Sequence, residues 1–161
     1  MANTAWAFAK ARFPAPALFR AVETEALKKM AAFNAQNLAN TVWAFATARV
    51  DAPALFEAVA VESSKKIATF KPQELANTAW AYATAGVEAP ALFDAAIAVE
   101  SSKKIATFNP QDLTNTVWAY ATAGVAAPVL FQAVAAEAPK KIAGFTPQAL
   151  ANTVWAFATA G

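Results

Sequence analysis

The chain has 161 residues, 58% of them apolar and 15% charged, with 13 Lys and Arg against 11 Asp and Glu and neither His nor Cys. That length can bury a core and that composition folds rather than staying disordered. The missing residue types exclude Ser-His-Asp catalysis, Cys nucleophiles, thiolate or imidazole metal sites and disulfides within it. A net charge of +2 permits a polyanionic partner without demanding one.

Five tryptophans, Trp6, Trp43, Trp80, Trp118 and Trp155, recur at spacings of 37, 37, 38 and 37 residues. Aligned on them, the unit reads P-Q-x-L-A-N-T-x-W-A-[FY]-A-T-A-G, then V-x-A-P-x-L-F-x-A, then K-K-I-A-x-F. Residues 1–33 are a partial first repeat, 34–70, 71–108 and 109–145 are complete, and 146–161 are the first helix of a further one. The first predicted helix of each unit opens at Pro72, Pro110 or Pro147, where a missing N–H costs nothing. Asn34, Asn109 and Thr146 stand at the N-cap position. It closes at Gly86, Gly124 or Gly161, able to take the left-handed conformation; Arg12 and Arg49 occupy that slot at a cost of about 1 kcal/mol. The second helix opens at Pro16, Pro53, Pro90 or Pro128 and runs about 17 residues to the Phe before the next unit. In the 38-residue unit Asp94–Val99 is one longer than Glu57–Val61, an insertion expected as a π-bulge. The period and the short turn predict an all-α fold, a right-handed α-solenoid of 37–38-residue helix-turn-helix repeats over residues 1–161. Residues 113–136 carry no formal charge, but Gly124 and Pro128 interrupt them and the preceding repeat has Glu88 and Asp94 in the same slots. No membrane span is expected.

In the first helix of the unit from Pro72, Leu75, Ala79 and Tyr82 share one face and Ala76, Trp80 and Ala83 the next. The remaining face, Glu74, Asn77, Ala81 and Thr84, is the stripe expected to meet solvent or a ligand. Stacking aligns Asn40, Asn77, Asn115 and Asn152 in a column flanked by Thr47, Thr84, Thr122 and Thr159. An interior Asn costs about 0.5–0.7 kcal/mol relative to Ala. A hydrogen-bonded ladder that fixes register accounts for its recurrence, and so does an amide turned toward a base edge or sugar. Three residues before it stand Asn37, Glu74, Asp112 and Ala149, and Lys71, Asn109 and Thr146 precede the prolines. Such varying slots on a constant frame suit a reader that assigns one repeat to one ligand unit. Glu74 and Asp112 equally complement the helix dipole.

The second helix carries Lys28-Lys29, Lys65-Lys66, Lys103-Lys104 and Lys140-Lys141, with Glu25, Glu62, Glu100 and Glu137 four residues before the second Lys. The second Lys reads as a surface i,i+4 pair. The first, at Lys28, Lys65, Lys103 and Lys140, lacks that partner. Its column either follows a phosphate backbone or is a solvated face. The aromatic columns (Trp; Phe45, Tyr82, Tyr120 and Phe157; Phe19, Phe56, Phe93 and Phe131; Phe33, Phe70, Phe108 and Phe145) are assigned to the core rather than to base stacking.

The phrase L-A-N-T-V-W-A-[FY]-A-T-A-G preceded by F-x-P-Q-x, carried by residues 34–45, 70–86, 108–124 and 145–161, resembles the octotricopeptide repeat (OPR). It is also similar to the helical-repeat region of RNA-editing substrate-binding complex proteins and of FAST kinase-like, RAP-domain proteins. The resemblance implies an α-solenoid that binds single-stranded RNA with the first helix of each pair on its concave side. It further implies action on mitochondrial or chloroplast transcripts, in processing, stability or translation. No catalytic or RAP-like domain accompanies the repeats in this chain, so the expectation is a non-catalytic binder with no cofactor and no metal. Its partners are single-stranded RNA and other proteins of a ribonucleoprotein complex. Trp155 and Phe157 would face an unfilled neighbour, which a longer array or head-to-tail self-association would cover. The candidate RNA-binding residues are Asn37, Asn40, Thr47, Lys71, Glu74, Asn77, Thr84, Asn109, Asp112, Asn115, Thr122 and Asn152, with Lys65, Lys103 and Lys140 on phosphates. The rival is a protein-interaction scaffold whose groove holds a peptide or helix, which the low net charge favours.

Overall fold

The computed structural model describes residues 2–10 and 15–160, and all regular structure in them is helical. In chain order the α-helices are α1 (Ala2–Lys10), α2 (Pro16–Lys29), α3 (Ala35–Ala48), α4 (Pro53–Lys66), α5 (Pro72–Ala85), α6 (Ala98–Lys104), α7 (Pro110–Ala123), α8 (Pro128–Glu137) and α9 (Pro147–Ala160). The punctuation expected from sequence is present. Asn34 Oδ1 accepts from Asn37 N at 2.8 Å, Asn109 Oδ1 from Asp112 N at 2.8 Å and Thr146 Oγ1 from Ala149 N at 3.1 Å. Gly86 and Gly124 end their helices at φ 66° and 65°, and Arg49 takes the same left-handed conformation at φ 55°. Arg12 and Gly161 lie outside the described residues.

The second helix of each unit departs from expectation in its last turn, which tightens to 3-10 geometry at Met30–Ala32, Ile67–Thr69 and Ile105–Thr107. The turn releases Phe33, Phe70 and Phe108 into extended backbone, which delivers their rings to the core. In the last unit Pro139, lacking an N–H, stops α8 at Glu137, and the 3-10 segment lengthens to Ala138–Gly144. The inserted residue of the 38-residue unit is absorbed as a π-helix over Ala91–Ile97, as its spacing implied.

The odd-numbered helices pack in series, α1 on α3, α3 on α5, α5 on α7 and α7 on α9. The even-numbered helices run beside them as a second row, with α2 on α4, α4 on the π-helix and α6 on α8. Small residues let the odd row approach closely: Ala44, Ala81 and Ala119 are fully buried. Thr41, Thr78 and Thr116 bury their hydroxyls by donating to the carbonyls of Asn37, Glu74 and Asp112 at 2.7 Å. Aromatic pairs tie each even helix to the next odd one. Phe19 meets Phe45, Phe56 meets Tyr82 and Phe131 meets Phe157 edge-to-face at 5.0, 5.0 and 5.1 Å, and Phe93 meets Tyr120 at 4.9 Å. Tyr82 Oη donates to the Phe56 carbonyl at 2.6 Å and Tyr120 Oη to that of Phe93 at 2.7 Å. Burial pushes both phenols above their ordinary value, so they stay protonated donors.

Ser63 and Ser101 are fully buried, and neither hydroxyl has a hydrogen-bond partner. The first and last units place Ala26 and Ala138 in the same slot. Ser63→Ala and Ser101→Ala are therefore expected to raise stability, by about 1 kcal/mol each, since an unmet buried hydroxyl costs about 1–3 kcal/mol. Denaturant titration of the single and double variants measures this, and a loss of stability in either would contradict it.

Candidate nucleic-acid interface

The outward stripe of the odd row is not the one expected. Ala81, placed on it by the helix wheel, is fully buried, whereas Trp80, placed in the core, is half-exposed. Trp43 and Trp118 are half-exposed too, and Trp155 is 46% exposed. The stripe that emerges is Gln73, Asn77, Trp80 and Thr84, at i, i+4, i+7 and i+11. It recurs as Gln36, Asn40, Trp43 and Thr47, as Gln111, Asn115, Trp118 and Thr122, and as Gln148, Asn152, Trp155 and Thr159. All four glutamines are exposed and all four asparagines half-exposed. The glutamine column was missed although each Gln follows the helix-opening position at constant spacing, which is signal enough to find it.

No Asn ladder runs along α5, α7 and α9. The Asn77 and Asn115 amides make no hydrogen bond within the described residues, and Asn152 Oδ1 accepts from Gln148 Nε2 at 3.0 Å inside its own helix. Thr84 and Thr122 are exposed, whereas the Thr47 hydroxyl, expected on the stripe, is buried without a hydrogen-bond partner and does not reach the surface. Between α7 and α9 the stripe opens into a cleft of about 460 Å³ lined by Asn109, Gln111, Asn115, Thr146, Gln148 and Asn152. Gly144 helps to form it: the equivalent positions hold Thr69 and Thr107, and a Cβ at Gly144 would meet Pro110 Cγ at 3.1 Å.

The varying slots have a local task instead. Asn37 Oδ1 accepts from Asn34 N at 3.2 Å, Glu74 Oε2 from Lys71 N at 2.8 Å and Asp112 Oδ2 from Asn109 N at 3.2 Å. Each closes a capping box and satisfies an orphan donor at the helix start. Asp112 is buried for this purpose, and desolvation raises its pKa. Lys71 is exposed at the start of α5.

The lysine couples also require correction. The first Lys is not spare, because Lys65, Lys103 and Lys140 pair with Glu62, Glu100 and Glu137 at 3.2, 3.4 and 2.8 Å. They remain about two-thirds exposed (side-chain exposures 64%, 66% and 66%) and do not line the α7–α9 cleft. Among the second lysines Lys29 is the surface pair expected, meeting Glu25 at 2.8 Å with its side chain 58% exposed, but those of the next three units are not. Lys66 Nζ donates to the carbonyls of Ala31 and Phe33 at 2.7 and 2.8 Å, Lys104 to those of Ala68 and Phe70 at 2.8 and 2.7 Å, and Lys141 to those of Ala106 and Phe108 at 2.7 and 2.6 Å. Each reaches back one repeat and clamps it to its neighbour, while the same Glu holds the amine from the other side.

Hydrogen bonds from these lysines hold Glu25, Glu62, Glu100 and Glu137 below their ordinary value of 4.5. A depressed carboxylate contributes stability that is present above its unfolded value and lost as pH falls through the folded one. Asp112, shifted upward, opposes this alone. Stability is expected to drop as pH falls below about 4.5, and Glu100→Gln to flatten that dependence. Thermal melts at neutral pH and at about pH 3 check it; equal pH dependence in parent and variant would remove the glutamates as its source.

Among the described residues no group of carboxylates could hold a metal ion, and no helix is long and apolar enough to cross a membrane. The stripe offers amide donors and acceptors, hydroxyls and indole surface. A family model described as RNA-editing substrate-binding complex 6 protein matches residues 1–160. No curated protein matches the chain.

Proposed function

The chain belongs to the RNA-editing substrate-binding complex 6 protein family, and from that premise we propose that it is a non-catalytic, single-stranded-RNA-binding right-handed α-solenoid that serves mitochondrial RNA processing within a protein–RNA complex. The repeats over residues 1–161 form one array in this reading, with the odd row as the RNA side. Of the two organelles expected from sequence, the RNA-editing family supports the mitochondrion and lends nothing to the chloroplast. The observation that carries the reading is the repeated stripe of exposed Gln and half-exposed Asn side chains, on which the Asn77 and Asn115 amides make no hydrogen bond within the described residues. Asn40, Asn77, Asn115 and Asn152 with Thr84 and Thr122 contact bases or sugars, and Asn109 contributes from the mouth of the cleft. Lys71, Lys65, Lys103 and Lys140 meet phosphates from the rim, whereas Asn37, Glu74 and Asp112 hold the helix starts on which the stripe depends.

Fluorescence anisotropy with labelled RNA pools of about 12 nucleotides, at several salt concentrations, tests this. Saturable binding weakened by salt is expected, with a slope of about −2.8 when the four lysines each meet one phosphate, at about −0.7 per contact. Absence of binding at low salt would overturn it.

A protein contact is favoured at a different surface. Leu150, Val154 and Trp155 on α9 are 39%, 69% and 46% exposed, while their counterparts Leu113 and Val117 are fully buried by the following helix. A further helix of the same kind, from this chain head-to-tail or from a partner, would cover them. Val154→Asp is expected to abolish any concentration-dependent association in sedimentation runs. Association unchanged by the substitution would place the contact elsewhere.

A further inference from the structure

We propose that the edge formed by the loops inside the repeats is a docking groove for a protein segment that carries lysine or arginine among aliphatic side chains. The inference stands independently of RNA binding. Where the loop after α5 faces the loop after α7, a groove of about 590 Å³ is lined by Gly86, Glu88, Phe93, Asp94, Gly124 and Val125, among others. The same place one repeat earlier, between the loops after α3 and α5, holds a groove of only about 260 Å³, lined by Arg49, Asp51, Phe56 and Val87. Two differences separate them. Gly86 stands where the smaller groove has Arg49, and a Cβ at Gly86 would meet nothing within 4 Å. Asp94, on the π-helix Ala91–Ile97, lines the larger groove, whereas its counterpart Glu57 does not line the smaller one. A π turn inside a helix is frequent at functional sites. The smaller groove is charge-balanced by Arg49 and Asp51; the larger carries two carboxylates and no cation.

A second groove of about 650 Å³ shares the 87–90 turn and is lined by α4 and the start of the π-helix. It adds Glu57 and the 54%-exposed Val61. Lys65 lines it too, but Glu62 holds that amine at 3.2 Å. Glu57, Glu88 and Asp94 are exposed and make no ion pair or hydrogen bond within the described residues. Unpaired carboxylates beside apolar walls select the occupant. They repel the phosphates of a nucleic acid, and a wholly apolar helix laid over them would desolvate them without compensation. A cationic side chain satisfies both surfaces, because its stem covers apolar area while its head meets a carboxylate. Of the amide stripe, only Thr122 lines either groove.

The experiment is anisotropy on the full chain with a labelled peptide of alternating lysine and valine, and with two control peptides, one with glutamate for lysine and one with glycine for valine. The lysine–valine peptide is expected to bind saturably and at least about tenfold more tightly than either control. Gly86→Arg copies the preceding repeat, where Arg49 takes the same left-handed conformation at φ 55°, so it fills the larger groove and adds a cation while keeping the fold. It should weaken the peptide by about tenfold or more, and so should Glu88→Gln combined with Asp94→Asn, which leaves the glycine in place. Glu23→Gln, a carboxylate on α2 outside both grooves, should leave affinity unchanged. Circular dichroism melts of each variant show that the fold is retained. Equal binding of the three peptides, absence of binding, or an affinity that the Glu88 and Asp94 substitutions leave unchanged overturns the docking groove.

Discussion

Lys104→Met is expected to lower the melting temperature by about 5–10 °C, and Lys103→Met, one residue away, to leave it nearly unchanged. Both amines pair with Glu100, at 2.9 and 3.4 Å. Only Lys104 continues to the carbonyls of Ala68 and Phe70, at 2.8 and 2.7 Å, across the boundary to the preceding repeat. Hydrogen bonds from a charged donor contribute about 1.5–3 kcal/mol each, and the 28% exposure of the Lys104 side chain places this pair toward the low end, at about 2–3 kcal/mol together. One kcal/mol corresponds to about 2–4 °C for a chain of this size. Met keeps the apolar stem and removes only the amine, so lost packing does not enter. Lys103, 66% exposed, is an ordinary surface pair and should change stability by less than about 0.5 kcal/mol. Equal effects of the two substitutions, measured by circular dichroism melts, would remove the clamp as a source of stability.

Replacing Asn77 and Asn115 together by Ala should weaken RNA binding by about tenfold or more without loss of fold, since each well-made amide contact to a base is worth about 1–3 kcal/mol. The two amides make no hydrogen bond within the described residues, and Ala is favoured over Asn in a helix by about 0.5–0.7 kcal/mol. Stability should therefore rise by about 1 kcal/mol as affinity falls. The opposite pattern, a marked fall in melting temperature with binding retained, would give the column a structural role and leave the RNA contacts to other groups.

What sequence reveals of this fold is whatever the backbone itself demands. Proline opens helices, Asn34 and Asn109 cap them, Gly86 and Gly124 close them, and the extra residue before Val99 has no place to go except a π turn. Side-chain direction was harder to read, for a physical reason. In an Ala-rich helix Asn77 is flanked at i+3 by Trp80 and at i+4 by Ala81, and both continue a 3.6-residue stripe equally well. Hydrophobicity would bury the Trp. Packing of α5 against α7 instead requires the small residue at the contact, so Ala81 goes inside and the Trp is left at the edge. The Gln column inherits this phase and was missed with it. The lysine clamp was hidden for another reason: its acceptors are main-chain carbonyls, which every residue carries and no sequence pattern marks.

The clamp also sorts the amines of this chain by reactivity. Lys66, Lys104 and Lys141 have side-chain exposures of 29%, 28% and 24%, and their nitrogens are engaged by two carbonyls and a carboxylate. Their neighbours Lys65, Lys103 and Lys140 stand in water beside them, one residue away in each repeat. An acylating reagent needs the free, unprotonated amine, so it should modify the outer member of each couple and spare the inner one while a joint is closed. Each of the three clamped boundaries thus carries its own internal reference, and the ratio of modification within a couple reports whether that joint is shut.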